Sequence, residues 1–364
     1  MVLKDDFYTV IKVEKQNEEE IVTLRLNADH LIYRAHFPNN PITPGVCIVQ
    51  ICKELAQMIM GGLPAKISSV KSIKFMNVIN PLVNSEITFG ITLTPTSTGY
   101  AEKVTVSAGD TIFAKISMKL VMDKVCVIIP TYNNMNTVIE VINNVLEYCR
   151  YVIAVNDGST DGTARLLDGV KDKVTVMGYA DNRGKGYALR AGFEEALRRG
   201  FKYAITIDSD GQHFASDIPL FYDAIAKYPD ALVVGSRMFD QENMPSANTF
   251  ANRFSNFWFT VQTGCKLPDT QTGYRLYPIC RMAKMKFITS RYESELEMLV
   301  RCKWRGIKVV PISVGVYYAP EGERVTHFRK GRDFFRISLL NTVLTLCAIL
   351  YGYPSMLIHR ITGK

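Results

Sequence analysis

A change of rhythm at Asp123 constrains this chain more than any other feature. Downstream of it, short apolar runs alternate with amphipathic segments: CVII, TVIEVINNVLEYC, VIAV, KVTVM, GYALRAGFEEALRRG and YAITI. Strands and helices in that alternation predict a parallel, doubly wound α/β sheet, because each parallel strand needs a crossover to return the chain to the same edge. Val138, Ile142, Val145 and Cys149 recur at the spacing that turns one helical face towards a sheet. Upstream, FYTVIKV, EIVTLRL, EITFGITLT, KVTVSA and IFAKISMKLVM are rich in β-branched residues with partial alternation, the pattern of antiparallel strands. One helix interrupts them, entering at Pro44-Gly45 and running through VCIVQICKELAQMIM, apolar on nearly every side and therefore buried. At 364 residues the chain exceeds one ordinary domain of roughly 100 to 200, so two domains meeting near Asp123 are expected.

The eight cysteines include no CxxC pair and fall in apparent core segments, which predicts a reduced, cytosolic chain. Met1 to Tyr8 is charged and lacks the apolar stretch of a secretory signal, so export is not expected. Lys and Arg outnumber Asp and Glu by 43 to 35, an excess that favours phosphates, nucleotides or an acidic membrane surface without choosing among them. Near the end, Ile337 to Tyr351 carries no charge, and GYPSMLI follows. Spanning a bilayer takes roughly 20 apolar residues, and Gly352 and Pro354 interrupt this run just short of that. A membrane-surface or re-entrant helix is expected, held on anionic lipid by Arg324, Arg329, Lys330, Arg332 and Arg336. A buried C-terminal helix is the competing reading.

In an open parallel sheet, ligands bind beyond the carboxyl ends of the strands. Three strands here end in polar loops: Pro130-Thr131-Tyr132-Asn133-Asn134, Asn156-Asp157-Gly158-Ser159, and Asp208-Ser209-Asp210-Gly211-Gln212-His213. Asp208 and Asp210 can jointly face a hard divalent cation, with Gln212 adding an oxygen and a diphosphate completing the octahedron. The cation would neutralise charge on a departing nucleoside diphosphate. An isolated DxD is more often an acidic surface turn; its place after a buried strand is what favours the site.

The stretches VIIPTYNN, NDGSTDGT, NRGKGYALRAG, IDSDGQH and DTQTGYRLY, in this order, resemble family 2 glycosyltransferases, especially the branch that makes polyprenyl-phosphate sugars. The resemblance covers roughly residues 124–315 and implies a GT-A-like, inverting, metal-dependent hexosyltransferase using a UDP- or GDP-linked sugar and Mg²⁺ or Mn²⁺. It implies that Thr131, Tyr132 and Asn133 line the base, that Asp157 holds base or ribose, and that Asp208, Asp210 and Gln212 bind the metal. Gly184, Lys185 and Gly186 resemble the loop that closes over the nucleotide, its glycines allowing close backbone approach and its lysine offsetting phosphate charge. On the acceptor side, Asp269 or Gln271 would face the sugar and Arg275 would hold a phosphate. A hydroxyl acceptor needs a general base, for which Asp269 is the candidate; a polyprenyl phosphate is already anionic and needs none. Glu293, Glu295 and Glu297 are expected to be solvated or paired with arginines. Arg324 to Arg329, with His327, would form a basic lid.

In the first half, His36-Phe37-Pro38-Asn39-Asn40-Pro41-Ile42-Thr43-Pro44-Gly45-Val46 resembles the signature of hot-dog-fold β-hydroxyacyl-carrier-protein dehydratases. In those enzymes the motif histidine moves the proton and a carboxylate on the central helix completes the pair. Gln50 occupies that position here, and an amide does not exchange a proton as a carboxylate does, although Glu54 lies one turn further on. Binding of an acyl thioester or acyl carrier protein without dehydration is the cautious reading, and the resemblance implies a homodimer.

The expected fold class is thus an α+β hot-dog domain over 1–123, an α/β nucleotide-sugar-binding domain over 124–336 and a membrane-associated tail over 337–364. The expected activity is sugar transfer to a lipid-linked acceptor at the cytoplasmic face of a membrane, with no nucleic-acid partner. Transfer to a hydroxylated acyl lipid, a β-hydroxyacyl dehydratase and an acyl-binding scaffold stand as alternatives.

Overall fold

A computed structural model describes residues 2–36, 40–62, 65–96, 99–122, 124–237, 246–317 and 330–362. The chain divides into two compact units, Met1–Asp123 and Lys124–Lys364.

The first unit is a six-stranded sheet of β1 (Tyr8–Gln16), β2 (Glu19–Leu26), β3 (Ala65–Phe75), β4 (Glu86–Pro95), β5 (Gly99–Ala108) and β6 (Thr111–Met122). Every neighbouring pair in the order β1-β2-β4-β5-β6-β3 is antiparallel. Alternation puts Val22, Leu24, Phe89, Ile91, Val104, Val106, Ile116 and Met118 on one buried face. The helix Gly45–Ile59 lies in the same core, burying Ile48, Ile51, Cys52 and Leu55. It opens after Pro44, whose carbonyl receives the Cys47 and Ile48 N–H groups, so the proline stands where no helical donor is needed. β3 is an edge strand and leaves Val70, Ile73 and Phe75 exposed, with Met76 and Val78 following.

The second unit is built on β7 (Val125–Thr131), β8 (Val152–Asp157), β9 (Thr175–Tyr179), β10 (Tyr203–Thr206), β11 (Leu232–Arg237), β12 (Arg275–Tyr277) and β13 (Val309–Val314). Their order is β13-β11-β12-β10-β7-β8-β9. β7, fully buried, lies between β10 and β8, and helices Val138–Leu146 and Lys185–Arg198 make crossovers. The sheet is mixed rather than parallel: β12 runs antiparallel to both β10 and β11. The reversed strand has three residues, all buried, too few for periodicity to reveal.

The tail is helical over its described residues, as Lys330–Cys347, a π-helical stretch Ala348–Gly352 and Tyr353–Thr362. Gly352 and Pro354 do not end it, contrary to the expected interruption. The π turn absorbs the irregularity, and Pro354 falls in the first turn of the last helix, where its missing N–H matters least. The segment Phe335–Thr362 is long and apolar enough to cross a bilayer. One face is nevertheless docked on its own unit. Leu340, Asn341, Leu344 and Ala348 are buried, and Gln262 Nε2 donates to Asn341 Oδ1 at 3.0 Å. Tyr353 OH donates to the Val261 carbonyl and Ser355 Oγ to that of Trp304. A Cβ on Gly352 would lie 2.5 Å from Trp304 Nε1, so only glycine lets the helix come this close.

Candidate active site

The polar loops expected at the strand ends are knitted together. Asn133 adopts a positive φ of 52°, which asparagine tolerates better than most residues. Its N–H donates to Ser159 Oγ at 3.0 Å and its Oδ1 accepts the Thr160 N–H at 2.8 Å, tying the loop after β7 to the loop after β8. Thr131 is buried at the end of β7 and Tyr132 half-buried beside it. Asp157, at the end of β8, accepts the N–H groups of Arg183 at 2.8 Å and Gly184 at 2.9 Å, and Asn182 Nδ2 at 3.1 Å. The structure therefore gives Asp157 a loop-pinning role, whatever else it holds. The pinned loop turns at Gly184, whose φ of 99° admits no other residue without strain. A Cβ there would also meet the Ser290 carbonyl at 2.5 Å.

Gly184 delivers Lys185 as the first residue of its helix. Lys185 Nζ lies 2.7 Å from Asp208 Oδ1, 2.9 Å from Asp208 Oδ2 and 3.1 Å from Glu295 Oε2. Burial alone would raise the Asp208 carboxyl, but Lys185 outweighs it and holds the group below the usual range. Burial, with the Asp208 charge behind it, raises Asp210 to about 6. Asp210 Oδ1 accepts the Gln212 N–H at 3.0 Å. Burial first, then the positive charges of Arg237 and Lys185, push His213 down to about 4. It is neutral at physiological pH, and its Nδ1 finds no partner among the described residues.

The acceptor-side residues are placed differently from expectation. Asp269 is fully buried and held in a two-point ion pair by Arg237, Nε at 2.6 Å and Nη2 at 3.1 Å. Asn252 Nδ2 and the Gln271 N–H each add a bond at 3.0 Å. Against the pull of burial, Arg237 keeps this carboxyl below its usual range. A carboxylate so satisfied is a poor general base. Arg275 is likewise fully buried, and its guanidinium donates to the carbonyls of Thr270 (2.9 Å), Thr272 (2.8 Å) and Glu295 (2.7 Å). It fixes the loop 269–275 and does not reach out for a phosphate, which corrects the role expected of it. Gln271 is exposed. The basic lid, Arg324 to Arg329 with His327, lies outside the described residues.

Glu293, Glu295 and Glu297 are all buried rather than solvated. Glu297 accepts the Ile288 and Thr289 N–H groups and Arg301 Nη1, while Glu295 faces Lys185. Helical spacing alone did not single out Glu295. Arg237, at the carboxyl end of β11, was within reach of the strand-end argument and was missed.

In the first unit, His36 ends the short helix Leu31–His36 and is exposed; Phe37, Pro38 and Asn39 lie outside the described residues. Glu54, weighed as a substitute carboxylate, is sealed. It accepts the N–H groups of Val2 (2.8 Å), Leu3 (3.0 Å) and Lys4 (3.0 Å), Tyr8 OH (3.1 Å) and Gln50 Nε2 (2.7 Å). These bonds outweigh burial and lower its proton affinity. Glu54 is a staple for the amino-terminal segment and not an acid–base group.

Residues 126–282 match the model of glycosyl transferase family 2, and residues 12–109 match that of the ApeI dehydratase family. The second unit is a family 2 glycosyltransferase domain. Similar proteins include glycosyltransferase AglJ of Haloferax volcanii, 31% identical over 55% of this chain and 65% of its own length. The chain thus spans just under two thirds of that relative. The UDP-N-acetylglucosamine–dolichyl-phosphate N-acetylglucosaminyltransferase of Methanococcus voltae is 27% identical over 58% of this chain and 94% of its own. Polyprenol monophosphomannose synthase of Mycolicibacterium smegmatis is 29% identical over 52% and 75%.

Within the glycosyltransferase domain, the acidic pair fits a divalent cation. Lys185 lies against two carboxylates, Asp208 and Glu295, with Asp210 beside them, and burial followed by the Asp208 charge raises the proton affinity of Asp210. Among the described residues no three His, Cys, Asp or Glu side chains form a complete cage. The donor set therefore suits a hard ion that takes its remaining oxygens from water and substrate phosphates. The amino-terminal unit is the ApeI-like domain of the fusion.

Proposed function

We propose that the glycosyltransferase domain moves a sugar, with inversion, from a UDP- or GDP-linked donor to a polyprenyl phosphate. The observation that carries this reading is the commitment of the carboxylates around the acidic pair. Asp269 is closed by Arg237, Glu295 faces Lys185, and Asp157 holds the Gly184 loop. None of these three is free to take a proton from an attacking hydroxyl. A phosphate monoester needs no base: its oxygen is anionic near neutral pH and attacks the anomeric carbon as the bond to the nucleoside diphosphate breaks, the electron pair leaving with the diphosphate. The names of the relatives from Methanococcus voltae and Mycolicibacterium smegmatis agree with such an acceptor.

In this reading Thr131, Tyr132, Asn133 and Asp157 flank the base and ribose, and Gly184, Lys185 and Gly186 lie against the diphosphate. Asp208, Asp210 and Gln212 would hold Mg²⁺ or Mn²⁺, which supplies charge neutralisation to the leaving diphosphate. The tail lays its apolar side on the cytoplasmic face of the membrane and brings the lipid phosphate to the site: Leu339, Leu346, Ile349, Leu350, Leu357 and Ile361 are all exposed. The ApeI-like domain holds an acyl thioester or acyl carrier protein without dehydrating it, since Gln50 is an amide and Glu54 is committed to the amino-terminal segment. Its exposed apolar edge at β3 suits pairing with a second copy.

Purified chain incubated with UDP- and GDP-sugars, Mn²⁺ or Mg²⁺ and a polyprenyl phosphate should label the lipid. Asp210→Ala should reduce labelling by about 10³-fold, as loss of several kcal/mol of charge stabilisation implies. Folded protein that binds nucleotide and never labels this lipid would remove the phosphate acceptor from consideration.

A further inference from the structure

Glu295 stands beside the acidic pair, and the proposed reaction gives it no part. The helices Lys185–Arg198 and Glu293–Trp304 start in close contact. A Cβ on Gly186 would lie 2.2 Å from Ser294 Cβ, so the two helix starts are held at a distance that only glycine permits. That approach puts the Glu295 carboxylate on Lys185 from one side while Asp208 takes it from the other. The three N–H directions of the ammonium meet three carboxylate oxygens. Gly273 walls the group in: a Cβ there would lie 2.6 Å from Asp208 Oδ2 and 2.7 Å from Lys185 Nζ. Glu295 Oε1 has no partner among the described residues.

We propose that Lys185 is a built-in counter-ion that competes with the divalent cation for Asp208, and that Glu295 is the positioning residue that keeps the ammonium in the site once the cation has displaced it. The inference rests on Asp208 and Asp210 being the metal pair. An ammonium and a divalent cation cannot share both Asp208 oxygens without strong repulsion. With a divalent cation on Asp208, Glu295 would be the carboxylate left to hold Lys185. A lysine held that way stays beside the position where diphosphate charge collects and does not swing out to solvent. Lys185 would then sit ready for the charge of the nucleotide diphosphate.

The test is Mn²⁺ binding to the full chain without nucleotide, read from the electron paramagnetic resonance signal of free Mn²⁺. Lys185→Met removes the competitor and should tighten Mn²⁺ by about tenfold, within the usual range for coupled sites. Glu295→Gln leaves the ammonium leaning on Asp208 alone and should weaken Mn²⁺ several-fold. The same variant should weaken UDP or GDP binding in the presence of saturating Mn²⁺. Opposite signs are the signature, because a contact that merely supports the fold would shift both variants the same way. Circular dichroism and a melting curve check folding, and Lys185→Gln replaces Lys185→Met if that variant is unfolded. Wild-type binding of Mn²⁺ with both variants unchanged, or both moved in one direction, overturns the inference and leaves the metal pair standing. No Mn²⁺ bound by wild type or by Lys185→Met overturns the metal pair and the inference together.

Discussion

Both units bury glutamates, and they do so to different ends. In the ApeI-like domain, Glu54 is wrapped by five donors and closes the amino-terminal segment onto the central helix. Glu102, on β5, has both oxygens buried without a partner among the described residues, and burial raises it to about 8. It is therefore protonated near neutral pH. In the glycosyltransferase domain, Asp208, Asp210 and Glu295 gather at the carboxyl edge of the sheet around one lysine. A buried acid that is fully satisfied, or neutralised by its own proton, serves the fold. Acids gathered half-open around one lysine, where loops leave room for a ligand, suit a cation. Glu54, Glu102 and Glu295 are buried, whereas Asp208 and Asp210 stay half-buried at the sheet edge.

The largest effect expected on this contrast is at Asp269, which lies at the active edge yet is bonded like a structural acid. Asp269→Asn keeps the shape and removes the charge facing Arg237. Breaking a buried ion pair by neutralising one partner costs about 3–5 kcal/mol, so the melting temperature of the glycosyltransferase domain should fall clearly. If instead the variant melts like wild type while turnover loses its acidic limb in the pH profile, Asp269 is a catalytic base. The acceptor would then be a hydroxyl.

How much of this was legible beforehand depends on the range of the interaction. The strands and crossover helices between Val125 and Thr206 were readable because hydrophobic periodicity is local, and the loops at Thr131, Asp157 and Asp208 because strand ends in such sheets are where ligands bind. Spacing carries no information about which side chain a buried charge will meet. Asp269 finds Arg237 from β11 and Lys185 finds Glu295 from a distant helix. The reversed β12 follows from the same limit: its Arg275 is committed to the carbonyls of its own loop and of Glu295. Only the folded chain shows that a guanidinium in a suggestive motif is interior scaffolding.

The next effect sharpens the contrast inside the ApeI-like domain. With an ordinary value of 4.5 raised to about 8, folded Glu102 keeps a proton that the unfolded chain releases. Its penalty is absent below the unfolded value and grows as pH rises through that window, amounting to roughly 3 kcal/mol between pH 5 and 8. Glu54 acts in the opposite sense, since its lowered proton affinity contributes stability that is lost on acidification. Hydrogen exchange in Gly99–Ala108 should therefore quicken from pH 5 to 8, after correction for intrinsic rates, and Glu102→Gln should flatten that trend. An unchanged slope in the variant would mean that Glu102 finds a partner in solution.

The smallest effect concerns the tail, which repeats the contrast on a single helix. One face, Leu340, Leu344 and Ala348, is packed on the domain with Asn341 tied to Gln262, whereas Leu346 and Leu350 are 60% and 82% exposed. An apolar face that the fold leaves open gains from burial in lipid about 1.5–3 kcal/mol per large side chain. Leu346→Glu combined with Leu350→Glu should accordingly lower partitioning onto anionic vesicles at least about tenfold, with no change in melting temperature. Asn341→Ala gives the reverse: it disturbs the docked face, so melting should fall while partitioning holds. Partitioning unaffected by the two glutamates would show that lipid does not cover this face, and the tail would then need a protein partner to shield it.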